Sequence, residues 1–263
     1  MNDARQQRVT FAGSAGETLA GVLDLPPKPP EAYALFAHCF TGGKDSQATR
    51  RVSRALTDRG LAVLRFDFTG LGESGGEFAS ATFSSNVADI GLAADFLRRE
   101  HGAPSLVIGH SLGGAAVLAA AGDIAEVGAV VTIGAPSDPA HVTHLFATAT
   151  ADIERDGEAE VNVGGRPFRI RKQFLDDLAG QQQAKRIRAL GRPLLVLHSP
   201  DDEIVGIDNA GGIYSAARHP KSFIALDGAN HLLTHPRHAQ RVAQVIAAWA
   251  DPYLPETFTP EID

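Results

Sequence analysis

Residues Gly109-His110-Ser111-Leu112-Gly113-Gly114 decide how this chain is read. They follow a short apolar run, Ser105-Leu106-Val107-Ile108, and open a run of small helix formers, Ala115-Ala116-Val117-Leu118-Ala119-Ala120-Ala121. The pattern predicts a strand, a sharp turn with serine at its apex, and a helix. A serine hydroxyl is a poor nucleophile unless it is exposed and held against a base. The strained turn lifts Ser111 off the sheet, and a Cβ at Gly109 or Gly113 would collide with the neighbouring strand or helix. The amide of Leu112, at the helix N-terminus, then points where an oxyanion would form.

A serine nucleophile needs an acid and a histidine, and both follow downstream. Pro193-Leu194-Leu195-Val196-Leu197-His198 reads as a buried parallel strand and runs into Ser199-Pro200-Asp201-Asp202-Glu203-Ile204-Val205. Ser222-Phe223-Ile224-Ala225-Leu226 is a further strand, leading into Asp227-Gly228-Ala229-Asn230-His231. Acid and base are thus expected at strand C-terminal edges, in the order Ser111, Asp202, His231.

With those residues in place, the chain resembles an α/β-hydrolase from about residue 9 to about residue 254, whose triad has this chain order. Arg65-Phe66-Asp67-Phe68-Thr69-Gly70-Leu71-Gly72-Glu73-Ser74 resembles the family's D-x-x-G-x-G-x-S turn, and His38-Cys39-Phe40-Thr41-Gly42-Gly43 its oxyanion loop. More narrowly, Ala37-His38-Cys39-Phe40-Thr41, Phe66-Asp67-Phe68-Thr69-Gly70-Leu71-Gly72 and Phe83-Ser84-Ser85-Asn86-Val87-Ala88-Asp89 are similar to the hydrolase half of bacterial α/β-hydrolase/OsmC-type fusion proteins. The resemblance implies Asp202 rather than Asp201 as the acid, on the family's spacing from Ser199 to Val205. It implies an oxyanion hole from the backbone N–H groups of Phe40 and Leu112. Cys39 stands where most relatives carry glycine and is expected to be a packing thiol. Fusion relatives often carry a second cysteine in this loop, where Gly42 and Gly43 stand here.

Composition fits one α/β-hydrolase domain over residues 1–263: the chain is 44% hydrophobic and can bury a large core. A net charge of −7 without a basic stripe argues against nucleic acid as partner. One cysteine excludes an internal disulfide framework and points to a reducing compartment. The N-terminal residues lack the apolar core of a signal peptide, and no apolar run approaches the ~20 residues that span a bilayer. A cytoplasmic protein with no membrane partner is expected.

Residues 9–12 and 18–25 pattern as an antiparallel opening pair, and 33–37 and 62–66 as strands flanking a helix at 46–59. A helix over 86–99, a sixth strand over 128–133 and a closing helix over 235–249 complete the alternation, with a Pro-rich tail over about 251–263. This predicts a mostly parallel central sheet with helices on both faces and a site at strand C-termini. Between strands six and seven the chain is far longer than the ~2–6 residues of an ordinary connection. It holds acidic residues from Asp152 to Glu160, a hairpin at Gly164-Gly165 and a helical run over 171–190. In the family such an insertion, here about 137–191, forms a cap. Residues 136–146 are its part expected to meet substrate.

The expected reaction is carboxylic ester hydrolysis by Ser111, His231 and Asp202 through an acyl-enzyme, without metal or organic cofactor. His38, Cys39, His110, Leu145, Phe146 and Ile204 are candidate substrate-binding residues. His38 is read chiefly as a brace for the oxyanion loop, and Asp67 and Asp89 as structural. The pocket is expected to be apolar, without fixed charge, and suited to short or medium acyl esters. The partners expected are a small-molecule ester, a second copy in a homodimer and, in full-length relatives, an OsmC-type domain. A thioesterase, or a peptidase or amidase, would use the same triad, and a binding module that merely kept the fold is the other alternative.

Overall fold

The computed structural model describes residues 5–30 and 32–255, so residues 1–4 and the last part of the expected tail lie outside the described residues. Two opening strands, β1 (Arg5–Ala12) and β2 (Thr18–Leu25), pair antiparallel in the register Val9 to Gly21 and Phe11 to Leu19. After them come β3 (Ala32–Ala37), α1 (Gln47–Thr57), β4 (Leu61–Phe66), α2 (Phe83–Glu100), β5 (Pro104–His110), α3 (Leu112–Ala120) and β6 (Ala129–Ile133). An excursion then carries a 3₁₀ segment (Pro139–Ala149), α4 (Thr150–Asp156), a hairpin of β7 (Glu158–Val163) and β8 (Arg166–Arg171), α5 (Lys172–Ala179) and α6 (Gln183–Ala189). The chain returns through β9 (Leu194–His198), α7 (Asp208–Ala216), β10 (Lys221–Ala225) and α8 (Pro236–Ala250).

Among the described residues eight strands form one sheet in the order β1-β2-β4-β3-β5-β6-β9-β10, parallel from β4 onward. Each central strand is apolar on both faces, and alternate residues serve opposite layers. Leu35, Leu64, Val107, Val130 and Val196 pack with Phe83, Ile90 and Leu97 of α2 and Val117 of α3. Their neighbours Phe36, Val63, Ile108, Val131 and Leu197 pack with Val52 and Leu56 of α1 and Val242 and Ile246 of α8. The helices start on side-chain caps: Ser46 accepts from the Thr49 amide, and Thr82 and Ser85 form a reciprocal capping box.

The excursion belongs to the same core. Val142, Phe146, Ile153, Val161, Ile170, Phe174 and Leu178 are buried with α2, α3 and the sheet face they cover. The hairpin falls where Gly164-Gly165 predicted it, both glycines at positive φ. The helical run expected over 171–190 is two helices, interrupted at Gly180. No helix among the described residues is long and apolar enough to cross a membrane.

Two buried charge clusters hold the loops at the C-terminal edge of the sheet. Arg65, only 1% exposed, donates from Nε to Asp24 at 2.7 Å and from Nη1 to Asp45 and to the Lys44 carbonyl, each at 2.7 Å. Lys44 reaches Asp67 at 2.7 Å and Glu73 at 2.6 Å, and Asp67 also accepts from the amides of Lys44 and Glu73. Asp89 ties Ser14 to Thr69 through the Ser14 amide and the Thr69 hydroxyl. Removing one partner of such a buried pair leaves an uncompensated charge. Arg65→Ala should therefore lower unfolding free energy by about 3–5 kcal/mol, read from urea denaturation at neutral pH.

Candidate active site

Ser111 stands between β5 and α3 with φ 56° and ψ −126°, a conformation costly for a residue with a side chain. Two positions close to it have no room for a side chain. A Cβ on Gly109 would lie 2.3 Å from the Gly113 carbonyl oxygen, and one on Gly113 would lie 2.3 Å from that of His38. Helix α3 thus starts in backbone contact with β5 and the loop after β3. Leu112 is its first residue, so its N–H has no carbonyl a turn earlier in the helix to pair with.

His231, on the loop after β10, places Nε2 3.0 Å from Ser111 Oγ and Nδ1 2.8 Å from Asp202 Oδ2. All three are buried. Asp202, after β9, also accepts from the amides of Ile204 at 2.9 Å and Val205 at 2.8 Å. Burial acts to raise its carboxyl, but the His231 contact and the two amides outweigh it, so the group stays below its ordinary range. Asp201 faces elsewhere: its carboxylate accepts the Gly228 amide at 3.1 Å and ties together the loops that carry Asp202 and His231. The Asp202 contact makes Nδ1 the protonated nitrogen, leaving Nε2 to accept from serine. Gly134, at the end of β6, leaves room for the pair: its Cβ would lie 3.2 Å from Asp202 Oδ2.

A cavity of about 350 Å³ opens over Ser111. Cys39, Phe40, Leu112, Leu145, Ile204 and His231 face it, together with Pro136, His141, Val142 and His144 from the start of the excursion. Three candidate binding residues do not line it. His38 lies beneath the loop, its Nδ1 donating to the Cys39 carbonyl at 2.8 Å and its Nε2 accepting from the Phe68 amide. His110 donates from Nε2 to the His231 carbonyl at 2.8 Å, its ring centroid 5.2 Å from that of His231. Phe146 points into the core, where Phe40, Phe146 and Phe174 cluster with ring centroids 5.6–6.5 Å apart. The 3₁₀ segment kinks at this residue, with φ −140° and ψ 31°, which turns Phe146 inward while Leu145 stays 38% exposed. Burial pushes the Cys39 thiol up to about 11, so it is neutral near pH 7 and a poor nucleophile.

The expectation of a cavity without fixed charge is corrected. Arg166, at the start of β8, lines it and donates from Nη2 to the Thr41 carbonyl. The sequence carries no local signal for this, because only the docking of the hairpin brings Arg166 to the loop after β3.

Three buried imidazoles surround the row of Ser111, His231 and Asp202, all held neutral. Burial lowers His110 to about 3, and it lowers His38 and His198 as well. His198 donates from Nε2 to the Val205 carbonyl at 2.7 Å, and the Nδ1 atoms of His110 and His198 have no hydrogen-bond partner among the described residues. Protonating either would bury an N–H without an acceptor.

The comparisons with known proteins agree with this architecture. The family pattern described as Hydrolase_4, serine aminopeptidase S33, matches residues 28–156. The esterase domain of a Rhodothermus marinus protein is 50% identical, with a TM-score of 0.78 over 95% of this chain and 100% of its own. The chain belongs to the α/β-hydrolase family. Monoacylglycerol lipase of Mycolicibacterium smegmatis is 25% identical over 75% of this chain and 80% of the lipase. Est1E of Butyrivibrio proteoclasticus, solved with ferulic acid, shares the fold at 21% identity and a TM-score of 0.76, over 93% of this chain and 98% of its own.

The unfolded chain takes up protons on imidazole near pH 6.5, whereas folded His110 resists down to about pH 3. Stability should therefore fall as pH drops through that window, by about 1.4 kcal/mol per pH unit for each imidazole kept neutral. In urea denaturation between pH 6.5 and 4.5, His110→Gln should show a slope shallower than wild type by about that amount.

Proposed function

We propose that this α/β-hydrolase is a carboxylic ester hydrolase with Ser111 as nucleophile, His231 as general base and acid, and Asp202 as the group that orients His231. The row Ser111 Oγ to Nε2 at 3.0 Å and Nδ1 to Asp202 at 2.8 Å, on the floor of a largely apolar cavity, carries the reading. The 50% identity to an esterase domain supports ester hydrolysis as its chemistry.

In the first half-reaction His231 Nε2 takes the serine proton as Oγ bonds to the carbonyl carbon, and the carbonyl oxygen becomes an oxyanion. The amides of Leu112 and Phe40 hold that charge, aided by the positive end of α3. Collapse breaks the bond to the alcohol, which leaves with the proton from His231. Water then repeats the sequence on the acyl-enzyme and regenerates Ser111. Every proton moves between groups of this chain, substrate and water. The excursion acts as a cap that excludes polymers, and Phe40, Leu145 and Ile204 favour short or medium acyl chains at roughly 0.8 kcal/mol per buried methylene. We read the protein as cytoplasmic and related to the hydrolase half of OsmC-type fusions.

The aminopeptidase description of the matched family favours a second reading, cleavage of peptides with a free N-terminus. Such a site needs a carboxylate for the ammonium group, and no Asp or Glu is among the described residues that line the cavity. That favours the ester.

Ser111→Ala and His231→Ala should each remove nearly all hydrolysis of 4-nitrophenyl butanoate and, for Ser111→Ala, all labelling by a fluorophosphonate probe, with melting unchanged. More than a few per cent residual activity in folded Ser111→Ala would refute the assignment. Asp202→Asn should be severely impaired and Asp201→Asn only mildly; the reverse ranking would move the acid to Asp201.

A 4-nitrophenyl ester series measured beside matched 4-nitroanilides tests the bond cleaved. Turnover should peak at short or medium acyl length, with the anilides far slower. Amide turnover within about tenfold of the ester, a gap of only ~1.4 kcal/mol in barrier, would favour the peptidase.

A further inference from the structure

The hairpin brings one charge to the cavity that the proposed mechanism leaves without a task. Arg166 lines the cavity, donates to the Thr41 carbonyl, and holds its guanidinium carbon 5.3 Å from the Phe168 ring centroid. These two contacts hold the head group at the oxyanion loop but leave its charge unneutralised, since a carbonyl and a ring carry no net charge. Its neighbours on β8 differ. Arg169 pairs with Glu158, and Arg171 with Glu158 and Glu77. Arg166 forms no ion pair among the described residues.

The rest of the lining points the same way. Its other titratable groups are His141, His144, His231 and the neutral Cys39 thiol, so no anion balances Arg166 from inside. A guanidinium presents five N–H donors in a planar fork that matches a carboxylate, and Thr41 takes one of them. Apolar walls suit the carbon chain of a substrate, and an arginine at the loop suits an acid group on that substrate.

We infer that Arg166 selects esters that carry a second, free carboxylate, either at the end of the acyl chain, as in a half-ester of a dicarboxylic acid, or on the alcohol. The inference rests on the ester-hydrolase reading and adds the substrate class. Arg166 lies at the exposed hairpin, so the pair with substrate is open to water and weakens as salt screens it.

The test compares matched substrates in wild type, Arg166→Gln and Arg166→Lys. One pair varies the acyl side, 4-nitrophenyl hydrogen glutarate against 4-nitrophenyl pentanoate. The other varies the alcohol, the butanoyl ester of 3-hydroxybenzoate against that of 3-hydroxybenzamide. The readout is the ratio of kcat/KM for charged over neutral partner, because losing the Thr41 contact slows both partners alike.

For one of the two pairs that ratio should fall about tenfold in Arg166→Gln, the scale of one charge-assisted hydrogen bond, and be largely kept in Arg166→Lys. In wild type it should also shrink as salt is raised. The pair that responds shows which side of the ester carries the acid. A ratio unchanged in Arg166→Gln and insensitive to salt for both pairs, with neutral esters still cleaved, overturns the inference and leaves the esterase intact. Absence of all ester turnover and of fluorophosphonate labelling in the folded protein overturns the esterase reading and this inference with it.

Discussion

A serine held with left-handed φ at the end of a buried strand, with a helix starting against that strand, requires that positions 109 and 113 carry no side chain. Gly109 and Gly113 meet that requirement, and their added Cβ atoms would sit 2.3 Å from backbone oxygens. The close approach places the start of α3 against both β5 and the residues that leave β3. The amide of Leu112 and the loop through Phe40 consequently flank one hydroxyl. The order β3-β5-β6-β9-β10 then brings the ends of β9 and β10 to the other side of that hydroxyl, where Asp202 and His231 complete the row.

Electrostatics divides the molecule into two regimes. On the β2, β3 and β4 side, Arg65 and Lys44 are buried and paired, tying loops to the buried Asp24 and Asp67 and to the exposed Asp45. Beneath and behind Ser111, His38, His110 and His198 are buried and kept neutral, each fixed in one tautomer by a carbonyl neighbour. His231 lies nearest the Asp202 carboxylate, 2.8 Å from it against 3.7 Å for His198, so in the proposed mechanism a positive charge on His231 has a partner waiting.

Much of this was legible in the sequence because it is local. Apolar runs bounded by turn residues marked β5, β6 and β9, and the glycines about Ser111 marked the turn. Family spacing separated Asp202 from Asp201, and the structure sets only Asp202 against His231. The excursion was legible in its hairpin but not in its docking. Its helices are short, and Gly180 breaks what reads as one apolar periodicity. The kink at Phe146 turned that ring into the core while Leu145 stayed at the cavity, a reversal set by backbone angles rather than residue type. Nothing in the sequence points to Arg166, since its place follows from contact with Thr41, 125 residues away in sequence.

That span of sequence matters in time as well as in space. Ser111 leaves the ribosome 120 residues before His231, and the strand that precedes the base forms the far edge of the sheet. Domains begin to organise while synthesis continues. In the proposed mechanism a nascent chain that holds Ser111 but not yet His231 has a hydroxyl with no base to draw off its proton. On that reading hydrolysis waits for the last strand and the loop beyond it, and a half-made chain is inert toward esters.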